Sequence, residues 1–234
     1  MAGCWLSRTT VSIRYPQGTV RKVVMMNSPT LTQPDHNSPD LVMVDPAPAH
    51  ETFRYPRVTV IIPALNEAEN LPYVLPRIPA WVDEVLLVDG QSTDGTVDVA
   101  RYIYPDIRVV EQVGRGKGAA LRTGFAEATG DIIVMLDADG STDPAEIPAY
   151  IGPLLAGADF VKGSRFLQGG GTSDMSPLRR TGNLAFLTMV HLLYGGHYSD
   201  LCYGYNAFWR RILPLLHLDG DGFEIETMMN VRAL

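Results

Sequence analysis

Between residues 57 and 143 the chain states one unit four times: a short β-branched run, a loop of Gly, Asp, Asn or Ser, then a stretch of helical composition. The runs are Val58-Thr59-Val60-Ile61-Ile62, Glu84-Val85-Leu86-Leu87-Val88, residues 107–110 and Ile132-Ile133-Val134-Met135-Leu136. Helices are expected near residues 70–77, 96–104 and 119–128, and from Pro144, a residue favoured at the first helical position. Strands alternating with helices imply a parallel sheet with right-handed crossovers. Near-continuous apolar runs are what strands covered on both faces require. The expected fold class is α/β, a Rossmann-like, mostly parallel sheet flanked by helices. Every loop in the series follows a strand, so all of them gather on the carboxyl edge, where open α/β sheets bind ligands.

After Phe160-Val161-Lys162-Gly163 the theme breaks. Gly169-Gly170-Gly171 reads as a flexible loop, followed by an amphipathic helix over residues 178–194 and a tail through residues 198–209, a helix near 210–216, and Glu224 onward. This part reads as an elaboration covering one end of the sheet. Residues 1–54 hold Pro29, Pro34, Pro39, Pro46 and Pro48 among Ser, Thr, Asn and Asp without a period of 2 or 3.6. They are expected to be a mostly disordered extension, with a short strand at 12–15 or 20–26 as the alternative. Residues 55–234 are then the folded domain.

The most chemically telling loop is Asp137-Ala138-Asp139-Gly140, at the exit of the fourth apolar run. Two carboxylates one residue apart repel and lose solvation there unless a hard divalent cation, Mg²⁺ or Mn²⁺, neutralises them. That cation would in turn hold a phosphate. The bland alternative is a simple turn, since Asp and Gly are common turn residues.

Three neighbouring features bear on that choice. Asp89 ends the second run before Gly90, where a carboxylate can accept from a ribose hydroxyl or a base N–H. Asp94 in Ser92-Thr93-Asp94-Gly95-Thr96 reads first as a helix cap. Gly114-Arg115-Gly116-Lys117-Gly118-Ala119 fits the loose dinucleotide pattern G-x-G-x-x-A, but it follows the third run, and a second close carboxylate has no work in gripping a ribose. It is no P-loop either, because Gly118 stands where Ser or Thr should follow Lys117. The reading left is a tight backbone approach to a ligand, with Lys117 as a cation. Arg165 and the pair Arg179-Arg180 suit bidentate phosphate binding; for the pair, a solvated helix start is the plain alternative.

Composition narrows the partners. Over 234 residues the formal net charge is -7, which offers no electrostatic footprint for nucleic acid. Two cysteines, Cys4 and Cys202, cannot build a disulfide framework and fit a reducing cytosolic compartment. No window approaches the roughly 20 apolar residues that span a bilayer. Leu184, Leu187, Val190 and Tyr194 form an apolar stripe at helical spacing, either packed on the core or laid on a membrane surface.

Taken together, Val60-Ile61-Ile62-Pro63-Ala64-Leu65-Asn66-Glu67, Val88-Asp89-Gly90-Gln91-Ser92-Thr93-Asp94-Gly95-Thr96, Gly116-Lys117-Gly118, Asp137-Ala138-Asp139-Gly140 and Gly163-Ser164-Arg165-Phe166 resemble, in order and spacing, glycosyltransferase family 2. The nearest branch is the polyprenyl-phosphate (dolichol-phosphate) mannosyl- or glucosyltransferase-like group. The resemblance spans residues 57–234. It implies a GT-A fold, a nucleotide-sugar donor such as a UDP- or GDP-hexose, Mg²⁺ or Mn²⁺, and inversion at the anomeric carbon. By matching motifs, Pro63, Leu65, Glu67, Asp89, Lys117, Asp137 and Ala138 would line the nucleotide site. Asp137 and Asp139 would hold the metal, and Ser141, Arg165, Arg179 and Arg180 would face phosphates. Asp200 matches a position near the acceptor and would be the base if the acceptor is a hydroxyl; a lipid phosphate needs none. Such an enzyme would work in the cytoplasm, peripherally at the inner face of the membrane. Relatives usually continue beyond Glu224-Ile225-Glu226-Thr227-Met228-Met229, so the acceptor half is expected to be cut short. Two rivals remain at this point. A sugar-1-phosphate nucleotidyltransferase would carry a Gly-rich, basic loop after its first strand, which Pro63-Ala64-Leu65-Asn66-Glu67 is not; the other rival is a non-catalytic nucleotide-sugar-binding protein.

Overall fold

A computed structural model describes residues 10–11, 23–26, 54–164 and 203–233. The strands are β1 (Thr10–Val11), β2 (Val23–Met26), β3 (Val58–Ala64), β4 (Glu84–Asp89), β5 (Arg108–Glu111), β6 (Ile132–Met135), β7 (Phe160–Gly163) and β8 (Asn206–Trp209). The α-helices among these residues are α1 (Leu71–Val74), α2 (Thr96–Ile103), α3 (Lys117–Glu127), α4 (Ile147–Leu155), α5 (Leu213–Leu216) and α6 (Glu224–Arg232). The strands form one sheet in the order β1-β2-β7-β8-β6-β3-β4-β5.

The apolar runs became the central strands because both faces of the sheet are covered. On one face Val60, Ile62, Val85, Leu87 and Val134 pack with Leu71, Val74, Ala100, Ile147 and Leu154. On the other, Ile61, Leu86, Val88, Ile133 and Met135 pack with Leu121 and Phe125 of α3 and Ile225 and Met229 of α6. Alternate residues of each strand thus enter different cores, as the pleat demands. Gly124 of α3 lets that helix lie close on the sheet, since an added Cβ would stand 2.6 Å from Ile61 Cγ2.

Register aligns the strand tips. β3 and β4 run parallel with Ala64 opposite Asp89, β4 and β5 parallel with Asp89 opposite Glu111, and β3 and β6 parallel with Ile61 opposite Met135. The chain moves outward from β3 through β4 to β5, then returns to the other side of β3 as β6. That reversal of strand order is where open α/β sheets bind ligands.

Two findings differ from expectation. Residues 206–209 do not cover an end of the sheet. They enter it as β8, antiparallel to both β6 and β7, with Val134 and Val161 each opposite Ala207. The strand fills a gap between two parallel strands whose inner edges would otherwise be unpaired. In the amino-terminal region the alternative of a strand within 20–26 is the one observed: β2 pairs parallel with β7, and β1 pairs antiparallel with β2. The rest of the expected disordered extension lies outside the described residues, as do the helix over residues 178–194 and its apolar stripe.

Candidate active site

Two strand tips and their loops build one rim of the site. The loop after β3 turns at Asn66, whose φ of 57° lies in the left-handed region that Asn tolerates. Its backbone N–H donates to Ser92 Oγ at 2.9 Å, and its side-chain oxygen accepts from Thr93 N at 2.8 Å. Glu67 N donates to Thr96 Oγ1 at 2.9 Å and Ala68 N to Asp94 Oδ2 at 3.0 Å. Asp94 Oδ1 also accepts from Thr96 N at 3.0 Å, but the N-cap position of α2 is Gly95, so Asp94 serves the helix start from one residue further out than expected. The loops after β3 and β4 are therefore stitched into one surface. Leu65 is 57% exposed on that surface. Asp89 stands at the tip of β4, half-buried, accepting from Ser92 N at 3.2 and 3.3 Å. Glu67 accepts from Asn70 Nδ2 at 2.7 Å, which holds its carboxylate along α1.

The other rim follows β6. Ala138 is buried, so only its main chain is available to a ligand. Asp137 and Asp139 flank it, the first sheltered and the second exposed. Asp139 is exposed and accepts from Ser141 N at 2.9 Å. Asp137 Oδ1 lies 2.6 Å from Lys117 Nζ, and the same ammonium lies 2.6 Å from Glu226 Oε1 on α6. Burial would lower the Lys117 pKa, but the charges and hydrogen bonds of Asp137 and Glu226 outweigh it and hold the ammonium above its ordinary 10.5. Gly204 makes room for this group, since a Cβ there would meet Asp137 Oδ2 at 2.5 Å. Glu226 is a site residue that the sequence reading passed over. Its signal was an acid amid Ile225 and Met229, which both face the core.

The glycine-rich loop corrects the earlier reading. What approaches it is not an outside ligand but the chain's own strap over residues 219–223. Gly118 N and Ala119 N, at the start of α3, both donate to Asp221 O, at 2.8 and 3.2 Å. A Cβ on Gly116 would stand 2.4 Å from Asp221 O, and one on Gly118 2.4 Å from Gly220 O. Arg122 clamps the strap from below, donating to Gly220 O and pairing with the Asp221 carboxylate. The two glycines are required by backbone packing, while the Lys117 side chain between them reaches Asp137 and Glu226.

The structure therefore brings Pro63, Leu65, Glu67, Asp89, Lys117, Asp137, Ala138, Asp139 and Ser141 to one edge. Gly163 and Ser164 end β7 on that same edge. Arg165, Arg179, Arg180 and Asp200 lie outside the described residues. As a donor set, an exposed carboxylate at Asp139 with Asp137 two residues away fits Mg²⁺ or Mn²⁺, which ordinarily takes one or two protein carboxylates and completes its shell from phosphates and water.

A family model described as glycosyl transferase family 2 matches residues 59–214. Glycosyltransferase AglJ of Haloferax volcanii is 35% identical over 186 residues, covering 75% of this chain and 58% of that protein. Polyprenol monophosphomannose synthase of Mycolicibacterium smegmatis is 32% identical over 203 residues, covering 81% of this chain and 76% of that one. Among solved structures, glucosyl-3-phosphoglycerate synthase from Mycobacterium tuberculosis, in complex with Mn²⁺, UDP and phosphoglyceric acid, superposes with a TM-score of 0.60 at 28% identity. That match covers 75% of this chain and 63% of the other, so the chain spans somewhat under two thirds of several proteins it resembles. The GT-A arrangement of strands, the convergence at the carboxyl edge and the family match agree: the chain belongs to glycosyl transferase family 2.

Proposed function

We propose that this glycosyltransferase moves a hexose from a UDP- or GDP-sugar to a phosphate-bearing acceptor, a polyprenyl phosphate, with inversion at the anomeric carbon and with Mg²⁺ or Mn²⁺ bound at Asp137 and Asp139. The observation that carries the reading is the meeting of Asp89, Lys117, Asp137 and Asp139 at the point where the strand order reverses. Asp89 accepts from the nucleoside, and Leu65 gives it an apolar wall. A bound divalent cation would offset the charge that grows on the departing diphosphate. Lys117 presents an ammonium to the same phosphates, and Arg165 with Arg179 or Arg180 adds bidentate contacts. A phosphate acceptor arrives already anionic, so direct attack on the anomeric carbon needs no general base. A hydroxyl acceptor would call on Asp200.

The acceptor assignment draws on the name of the mycobacterial mannose synthase, and the donor and metal on the UDP and Mn²⁺ of the solved neighbour. Among the described residues no helix is long and apolar enough to cross a membrane, and the proposed site of action is peripheral, at the cytoplasmic face. The test is transfer of labelled hexose from UDP- and GDP-sugars to polyprenyl phosphate in vesicles, with soluble hydroxyl acceptors in parallel. Product in the lipid phase is expected. Transfer to soluble hydroxyl acceptors alone would overturn the lipid assignment and make Asp200 the residue to replace next.

A further inference from the structure

The Lys117 ammonium lies 2.6 Å from Asp137 and 2.6 Å from Glu226, and the side chains of the three are only 18%, 21% and 7% exposed. Two carboxylates converging in so sheltered a place repel each other unless a cation stands between them. Here that cation belongs to the chain. Asp137 is thereby engaged by Lys117, and Asp139 is left as an exposed carboxylate held by the Ser141 N–H. Among the described residues no three His, Cys, Asp or Glu side chains gather into a ready metal site.

A divalent ion reaching Asp137 without nucleotide must compete with the ammonium for that carboxylate and leave the sheltered Lys117 with Glu226 alone. A diphosphate arriving with the metal offers that ammonium a new anionic partner. We propose that Lys117 is a stand-in cation that couples metal uptake to donor binding: it holds Asp137 and Glu226 in the nucleotide-free protein and turns to the diphosphate when nucleotide and metal enter together. The inference rests on the donor-site reading above. Coupling of this kind is reciprocal, so the nucleotide strengthens metal binding by the factor by which the metal strengthens nucleotide binding. Glu226 extends the coupling to α6, whose preceding strap is fastened to the first turn of α3.

The experiment titrates Mn²⁺ into the full chain with and without GDP or UDP, following free Mn²⁺ by electron paramagnetic resonance. The parent should bind Mn²⁺ weakly alone and about 5- to 150-fold more tightly with nucleotide, the span usual for coupled sites. Lys117→Met, which keeps an unbranched chain one atom shorter and removes its charge, should bind Mn²⁺ alone more tightly than the parent and lose most of the nucleotide effect. Lys117→Arg should restore the coupling. A parent that binds Mn²⁺ equally well with and without nucleotide, or a folded Lys117→Met protein with no gain in Mn²⁺ affinity, would overturn the proposal. The parent titration decides the matter should Lys117→Met fail to fold. If neither nucleotide binds, the donor reading falls, while the metal-only comparison of parent and Lys117→Met still decides the role of Lys117.

Discussion

Asp89 illustrates how a single carboxylate is prepared for recognition. Its oxygens accept from Ser92 N, Gly90 N is tied to Ala64 O at 2.8 Å, and Gln112 N donates to Asp89 O at 2.9 Å. The backbone at Asp89 is thus held between three strand tips, and Ser92 N orients its side chain. A charged acceptor so fixed contributes about 1.5–3 kcal/mol to a hydrogen bond. Asp89→Asn should therefore cost about that much affinity for a nucleoside diphosphate and leave the melting curve nearly unchanged. Calorimetric titration reads the difference, and an Asn variant that binds as well as the parent would remove Asp89 from the nucleoside site.

At the scale of elements, the contact between α3 and the strap over residues 219–223 depends on bare glycine. Gly118→Ala would drive a Cβ into the Gly220 and Asp221 backbone, whereas Gly152 in α4 has nothing within 4 Å of an added Cβ. Overpacking of this kind costs about 1–3 kcal/mol. Gly118→Ala should lower the melting temperature by roughly 2–4 °C per kcal/mol in a chain of this size. Gly152→Ala should leave it level or raise it, because Ala in a helix interior is favoured over Gly by roughly 0.5–1 kcal/mol. Equal melting points for the two variants would mean that the strap does not rest on Gly118.

The amino end of β4 makes a second element-scale case. Burial would raise the pKa of Glu84, but hydrogen bonds from Thr59 Oγ1, Thr129 N and Oγ1, and Arg108 together hold it below its ordinary 4.5. A carboxyl depressed on folding contributes stability that is complete above the unfolded-state value and fades as pH falls through the folded-state one. Denaturant midpoints of the parent should thus drop on acidification below about pH 4.5, and Glu84→Gln should flatten that drop. Parallel pH profiles for the two proteins would contradict this.

What was legible in the sequence was local. β3, β4, β5 and β6 announce themselves by apolar runs, and the loops after them by Asn66, Gly90, Gly95 and Gly140, because pleat and turn chemistry act over a few residues. β8 was not legible, since Asn206 and Ala207 become strand only by filling the gap between β6 and β7. Lys117 was singled out as a cation, yet its partner Glu226 comes from a distant helix, and no local pattern encodes such a pairing. The glycines beside it were read as ligand-facing, when what they admit is the Gly220-Asp221 backbone.

Across the whole molecule, two helical layers seal both faces of the sheet and leave its carboxyl edge as the place where charge accumulates. The reversal of strand order between β6 and β3 sets Asp137 and Asp139 across from Asp89, with Lys117 and Glu226 closing the side. The central claim is that this edge binds a nucleotide-sugar through a divalent cation held by the Asp pair. The most direct test is calorimetric titration of UDP- and GDP-hexoses into parent and Asp139→Ala proteins, each with Mn²⁺ and with a chelator. The parent should bind one of the donors in Mn²⁺ and lose that binding in chelator, while Asp139→Ala, with an unchanged circular dichroism spectrum, should show no Mn²⁺-dependent binding. An Asp139→Ala protein that retains the parent's Mn²⁺-dependent donor affinity would contradict the account.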